Sequence, residues 1–102
     1  MYRCYTSFVN DDDAFDWDAG NEDHVLVHGV EPREVEEALL DPGRVRADAR
    51  NASGERRYAL IGATEEGRVL FLVYAARGAK VRPVTARDAS DVQKRRYGRG
   101  KR

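Results

Sequence analysis

Residues 68–76 read RVLFLVYAA, the most apolar run of the chain. The run is the length of a β-strand and falls far short of the roughly 20 residues that cross a bilayer. Turn residues bound it on both sides: Glu65-Glu66-Gly67 before it and Arg77-Gly78-Ala79 after it. A strand this apolar reads as the central strand of a sheet, buried on both faces. It therefore requires strands beside it, and the sequence supplies them. RRYALIGAT (56–64) precedes it and KVRPVTAR (80–87) follows it. Further upstream RVRADAR (44–50) alternates, followed by a turn at Asn51 to Gly54. Pro83 has no N–H for a ladder bond, so it marks an edge or a bulge.

The first half reads differently. AFDWD (14–18) alternates apolar and acidic residues and predicts a short strand. Asp18 then caps a helix beginning near Ala19, with Glu22 and Asp23 favoured by the positive end of the helix dipole. Gly29 is the expected stop. The valines of HVLVHGV (24–30) also suit a strand, but the cap before them and the stop after them favour helix. EPREVEEALLDPG (31–43) is the clearest helix: Pro32 fits the first helical position, and Val35, Ala38 and Leu39 form one apolar face. Asp41-Pro42-Gly43 breaks it. Ser90 can cap a last short helix, DVQKRRY (91–97). Helices segregated from a meander of strands indicate an α+β fold: a short N-terminal strand, two helices, a three- to four-stranded antiparallel sheet and a short C-terminal helix. The helices should cover one face of the sheet and leave the other to water or a partner.

The chain has 102 residues, enough for one domain, expected over residues 1–97 with a basic, flexible tail at 98–102. Its formal charge is zero, but residues 94–102 (KRRYGRGKR) hold six basic residues and no acid. Seven acids lie between Asp11 and Asp23. Such asymmetry fits a self-complementary surface, a tail that meets an anion such as RNA, or simply a solvated terminus. Cys4 is the single cysteine, which excludes an internal disulfide and the usual zinc patterns and places the chain in a reducing interior. A soluble cytoplasmic protein is expected.

Both histidines, His24 and His28, fall four residues apart, on one face if helical. They lack the glutamate of H-E-x-x-H, since Val25 follows His24, and no metal or other cofactor is expected. Arg44, Arg46, Arg57, Arg68, Arg77, Arg82 and Arg87 all fall in the sheet region or at its ends, where several can line a phosphate-binding surface or pair with the many acids.

Taken together, FDWD (15–18), HGVEPREVEEAL (28–39), GERRYALIGATEEGRVLFLVY (54–74) and RPVTARDAS followed by KRRY (82–97) resemble the BrnT toxins of type II toxin–antitoxin systems, within the wider RelE-like ribonuclease group. The resemblance implies a compact α+β endoribonuclease that arrests translation by cutting RNA. It also implies a BrnA-like antitoxin of the ribbon-helix-helix DNA-binding type. The pair would form a heterotetramer that contacts DNA only through the antitoxin. Two positions depart from the family habit: Val27 stands where a lysine or arginine is common, and Gln93-Lys94 where Glu-Arg is frequent. A non-catalytic module of the same fold, holding an antitoxin or another partner protein, is the alternative reading.

Metal-free RNA cleavage needs a base for the 2′-hydroxyl, cations for the phosphate and an acid for the departing 5′-oxygen. Arginine suits the cation's task because its planar fork matches phosphate oxygens. Arg57, Arg82 and Arg87 match basic positions of the family in GERRY and RPxxAR. His28 is the base or acid candidate. A helix C-terminus suits a cationic imidazole, which favours phosphate stabiliser or general acid over free base; capping its own helix is the plain alternative. Lys94 and Tyr97, in KRRY, and Trp17 complete the expected RNA-binding set. Tyr97 can stack on a base or anchor its helix, and Trp17 can stack or fill the core.

Overall fold

The computed structural model describes residues 14–47, 50–52 and 54–100. Cys4 and the acids Asp11 to Asp13 lie outside the described residues. Three helices and five strands make an α+β fold: α1 (Ala19–Val27), α2 (Pro32–Leu39), β1 (Val45–Arg46), β2 (Arg50–Ala52), β3 (Glu55–Ala63), β4 (Val69–Arg77), β5 (Lys80–Asp88) and α3 (Asp91–Gly100). The sheet is antiparallel, in the order β1-β3-β4-β5. β2 also pairs with β3, on the edge that β1 uses but one residue out of its register, so the strand expected over 44–50 is described as two pieces, and residues 48 and 49 between them lie outside the described residues. The expected N-terminal strand contracts to a single parallel bridge, Phe15 to Val81, with the Asp16 N–H donating to the Val81 carbonyl. That bridge lies along the outer edge of β5 and partly covers it.

The helix boundaries follow the local chemistry. Asp18 accepts a hydrogen bond from the Asn21 N–H at 3.1 Å, and Asn21 Oδ1 accepts one from the Asp18 N–H at 2.7 Å, a reciprocal cap for α1. Gly29 ends α1 with a φ of 75°, a conformation that disfavours a side chain. Pro32 opens α2, and the Glu31 N–H donates to Glu34 Oε1. In α3 the Gln93 N–H donates to Ser90 Oγ while Gln93 Oε1 accepts from the Ser90 N–H. The Gln93 side chain thus completes a capping box as a glutamate would, without adding charge. The helix continues past Tyr97 to Gly100, so part of the expected tail is helical.

α1 and α2 cover one face of the sheet. Val25, Val30, Val35, Ala38 and Leu39 pack there against Phe15, Leu60, Leu70, Leu72 and Ala86. α2 can approach this closely because β3 presents Gly62, where an added Cβ would collide with the Ala38 carbonyl oxygen. Arg68 locks the layers together. It donates to both oxygens of Glu34 on α2, to both oxygens of Asp88 on β5 and to the Gly29 carbonyl. β4 is the central strand, as its apolarity predicts, but its two faces differ: Leu70 and Leu72 are fully buried, while Phe71 and Val73 are only half-buried.

The opposite face is only partly covered. There α3 packs Tyr97 and Ala89 against Ile61, with Val45, Ala63, Val69 and Phe71 around them. This second, smaller core closes one end of the face and, among the described residues, leaves the rest open.

Candidate nucleic-acid interface

Directly opposed residues of an antiparallel ladder share a face. The pairing therefore defines three rows on the open side. Ile61, Phe71 and Arg87 form one, Ala59, Val73 and Thr85 the next, and Arg57, Ala75 and Arg82 the third. Strict alternation would have put Arg82 and Arg87, five residues apart, on opposite faces. A bulge changes this. The β4–β5 register steps from Val73–Thr85 to Tyr74–Pro83, which leaves Val84 as an extra residue and turns Arg82 back to the open side. Pro83 explains the position: it cannot donate to the ladder, and its carbonyl accepts instead from the Asn21 side chain at 2.8 Å.

That bond and one other fix α1 against the edge of β5. Arg82 Nη1 lies 3.0 Å from Asp18 Oδ2 and 3.5 Å from Asp16 Oδ2. The hydrogen bond to Arg82 holds the Asp18 carboxyl below its ordinary range. One turn beyond Asn21, α1 brings His24 to the open side of the sheet. His24, Arg57 and the bulge residue Val84 each line two adjoining cavities. The larger, about 600 Å³, has Ala59, Phe71, Val73 and Thr85 among its lining residues, with Arg87, Gln93 and Arg96 also reaching it. The smaller, about 250 Å³, is bounded by Gly20, Asn21, Glu55, Arg77 and Arg82 as well.

The arginines on this side are not equivalent. Arg77 Nε donates to Glu55 Oε2 at 3.0 Å, and Arg82 is held by the two aspartates. Arg87 lies over the Phe71 ring, 4.7 Å from its centroid, and donates to the Asp88 carbonyl. No described carboxylate pairs with it. Arg57 differs again: its Nε–H is buried and finds no hydrogen-bond acceptor among the described residues, with Glu55 Oε1 3.6 Å away. A buried N–H without an acceptor costs on the order of 1–3 kcal/mol, so it calls for an explanation. The Glu55 carboxylate, just beyond hydrogen-bonding range, offsets part of that cost. Glu55, beside both Arg57 and Arg77, has its carboxyl held below the ordinary range, chiefly by its hydrogen bond from Arg77.

The other expected residues are dispersed. His28 is the C-cap of α1, exposed, and lines neither cavity; its ring lies 5.8 Å from that of His24, centroid to centroid. Among the described residues no third ligand joins the two imidazoles. Trp17 packs on the helix side, where its Nε1–H donates to Glu36. Tyr97 is 7% exposed and its hydroxyl donates to Asp41 Oδ2 at 2.7 Å. Burial, and then that bond, push the phenol up to about 12. Tyr97 is thus an anchor of α3. Lys94 is exposed on α3. The sequence does not single out Glu55 and Arg96, and it offers His24 only as half of a metal pair. Strand alternation puts Glu55 on the face of Arg57, whereas only the docking of α1 and α3 brings His24 and Arg96 to this side.

The fold is a small α+β protein with a half-covered sheet face that carries arginines beside an imidazole. Comparison with known families makes the class specific. The family model of the BrnT ribonuclease toxins of type II toxin–antitoxin systems matches residues 17–92, and the chain belongs to that family. No curated protein matches the chain significantly. Among the described residues no helix is long and apolar enough to cross a membrane.

Proposed function

We propose that this chain is the toxin of a type II pair and an endoribonuclease that arrests translation in the cytoplasm by cutting RNA without a metal. The observation that carries this reading is Arg57, which lies on the wall shared by the two cavities and whose buried Nε–H has no acceptor nearer than Glu55 Oε1 at 3.6 Å. A phosphodiester seated there would satisfy that donor and receive charge-assisted hydrogen bonds as negative charge builds on the phosphorus oxygens. Arg87, stacked on Phe71 and exposed, adds a second cation, and Arg82 a third whose charge is shared with Asp16 and Asp18. The half-apolar larger cavity is roomy enough for a nucleoside. A ribbon-helix-helix antitoxin would hold the toxin inactive in a heterotetramer that touches DNA only through the antitoxin.

Growth of bacteria expressing the chain, alone and as Arg57→Ala, tests this reading together with RNA cleavage by the purified proteins. The parent should arrest growth and cut RNA, and the variant should do neither. A folded parent that leaves growth and RNA untouched sinks the proposal. The ion pairs of Arg77 and Arg82 motivate a second reading, a non-catalytic module that holds a partner protein. Salt separates the two: RNA bound through phosphates dissociates steeply as salt rises, whereas a protein-only surface has little RNA affinity at any salt.

A further inference from the structure

The ribonuclease reading leaves open which groups carry protons, and this inference rests on that reading. We propose that His24 and Glu55, which share the smaller cavity with Arg57, are the proton donor and proton acceptor of RNA cleavage. Three observations converge. His24 lines both cavities, on the same wall as Arg57, whereas His28 lines neither. Glu55 Oε1 lies 3.6 Å from Arg57 Nε, so a phosphate held by Arg57 comes to rest beside that carboxylate. The Glu55 carboxylate accepts a hydrogen bond from Arg77 at 3.0 Å, which fixes its place beside Arg57.

The step balances with these groups alone. The ribose 2′-oxygen attacks the adjacent phosphorus, and the new P–O2′ bond forms as the P–O5′ bond breaks. The 2′-hydroxyl proton passes to the Glu55 carboxylate. The imidazolium of His24 gives a proton to the departing 5′-oxygen. The products are a 2′,3′-cyclic phosphate and a 5′-hydroxyl, and solvent restores the two side chains. The charged and titratable groups that line the two cavities with His24 are Glu55, Arg57 and Tyr58 on β3, Arg77 on β4, Arg82 and Arg87 on β5, and Arg96 on α3, and His28 stands beside it on its own helix. Arg77 and Arg82 are paired with Glu55, Asp16 and Asp18, so Arg57, Arg87 and Arg96 are the cations that remain to meet a phosphate.

The test is the pH–rate profile for cleavage of a labelled single-stranded oligoribonucleotide by the full-length chain and by His24→Gln, Glu55→Gln, Glu55→Asp and His28→Gln. The parent should give a bell. His24→Gln should lower kcat/KM roughly 100-fold or more and remove the basic limb, and Glu55→Gln should do the same to the acidic limb. Glu55→Asp should restore part of the rate and the acidic limb, and His28→Gln should leave the bell intact. Affinity for the same oligonucleotide with 2′-deoxyribose should stay within about threefold of the parent in every variant, which excludes loss of fold. If the parent cuts RNA while His24→Gln and Glu55→Gln cut as well with both limbs present, this assignment alone is overturned. The same holds if His28→Gln removes the basic limb. A parent that cuts nothing overturns the ribonuclease reading as well.

Discussion

On the helix side of the sheet, Leu60, Leu70, Leu72 and Ala86 are buried beneath α1 and α2. On the other side, Ala59, Val73 and Thr85 border a cavity reached by Arg57, Arg87 and Arg96. The same three strands build both. The difference lies in what covers them. The amphipathic α2, the docked α1 and the close approach at Gly62 seal the first face. The second receives one short helix, anchored at one end by Tyr97. Sealing one face gives stability, and leaving the other half-covered gives arginines a place to act without unfolding the core.

The contrast can be broken by putting a single methyl group on the sealed side. Gly62→Ala should cost about 3 kcal/mol, because the carbonyl of Ala38 is backbone and can yield only if α2 lifts away. Urea unfolding measures this, and an unchanged midpoint would show that the face is not tightly closed. On the open side, Arg57→Ala should lower kcat/KM for RNA roughly 100-fold, or about 2.7 kcal/mol of transition-state stabilisation, with little change in thermal stability. A large fall in Tm would instead make Arg57 a structural residue.

Arg87→Ala should lower cleavage about tenfold, with Arg87→Lys recovering less than full activity because an ammonium lacks the planar fork. Equal activity in all three would remove Arg87 from the site. The smallest effect belongs to the boundary between the two regions. Tyr97→Phe should cost about 1 kcal/mol through the lost bond to Asp41. Its pH dependence has a definite sign. The folded phenol titrates near 12, above the ordinary value of about 10, so its contribution is complete below about pH 10 and disappears as the pH rises toward 12. The stability difference between parent and Tyr97→Phe should therefore shrink across that interval, and a constant difference would contradict the bond.

Much of the architecture was legible locally. Asp18, Gly29, Pro32 and Ser90 each mark a helix end because capping depends on residues within one turn. The run of β4 announced a central strand because apolar length and flanking turns are both local. The one-residue offset between the registers of β1 and β2 was not visible, since pairing with β3 decides register. The site was less legible still. Arg57 and Arg87 could be named from the chain, but their different environments could not: the Phe71 ring under Arg87 lies on the neighbouring strand, and Glu55, two residues before Arg57, is held by Arg77 of β4. Tyr97 and Trp17 read equally well as stacking residues or anchors, and only their neighbours distinguish these roles.

HVLVHGV shows where local determination stops. The sequence fixes a helix with two imidazoles on one side, because cap, stop and spacing are all short-range. It does not say which imidazole meets the arginines. The Asn21–Pro83 bond, the Arg82–Asp18 pair and the bulge at Val84 set α1 against β5, so that His24 lines the cavities that Arg57 also lines. Those contacts join residues about sixty positions apart. A side chain's neighbours across a sheet depend on register, and register is a property of the folded chain.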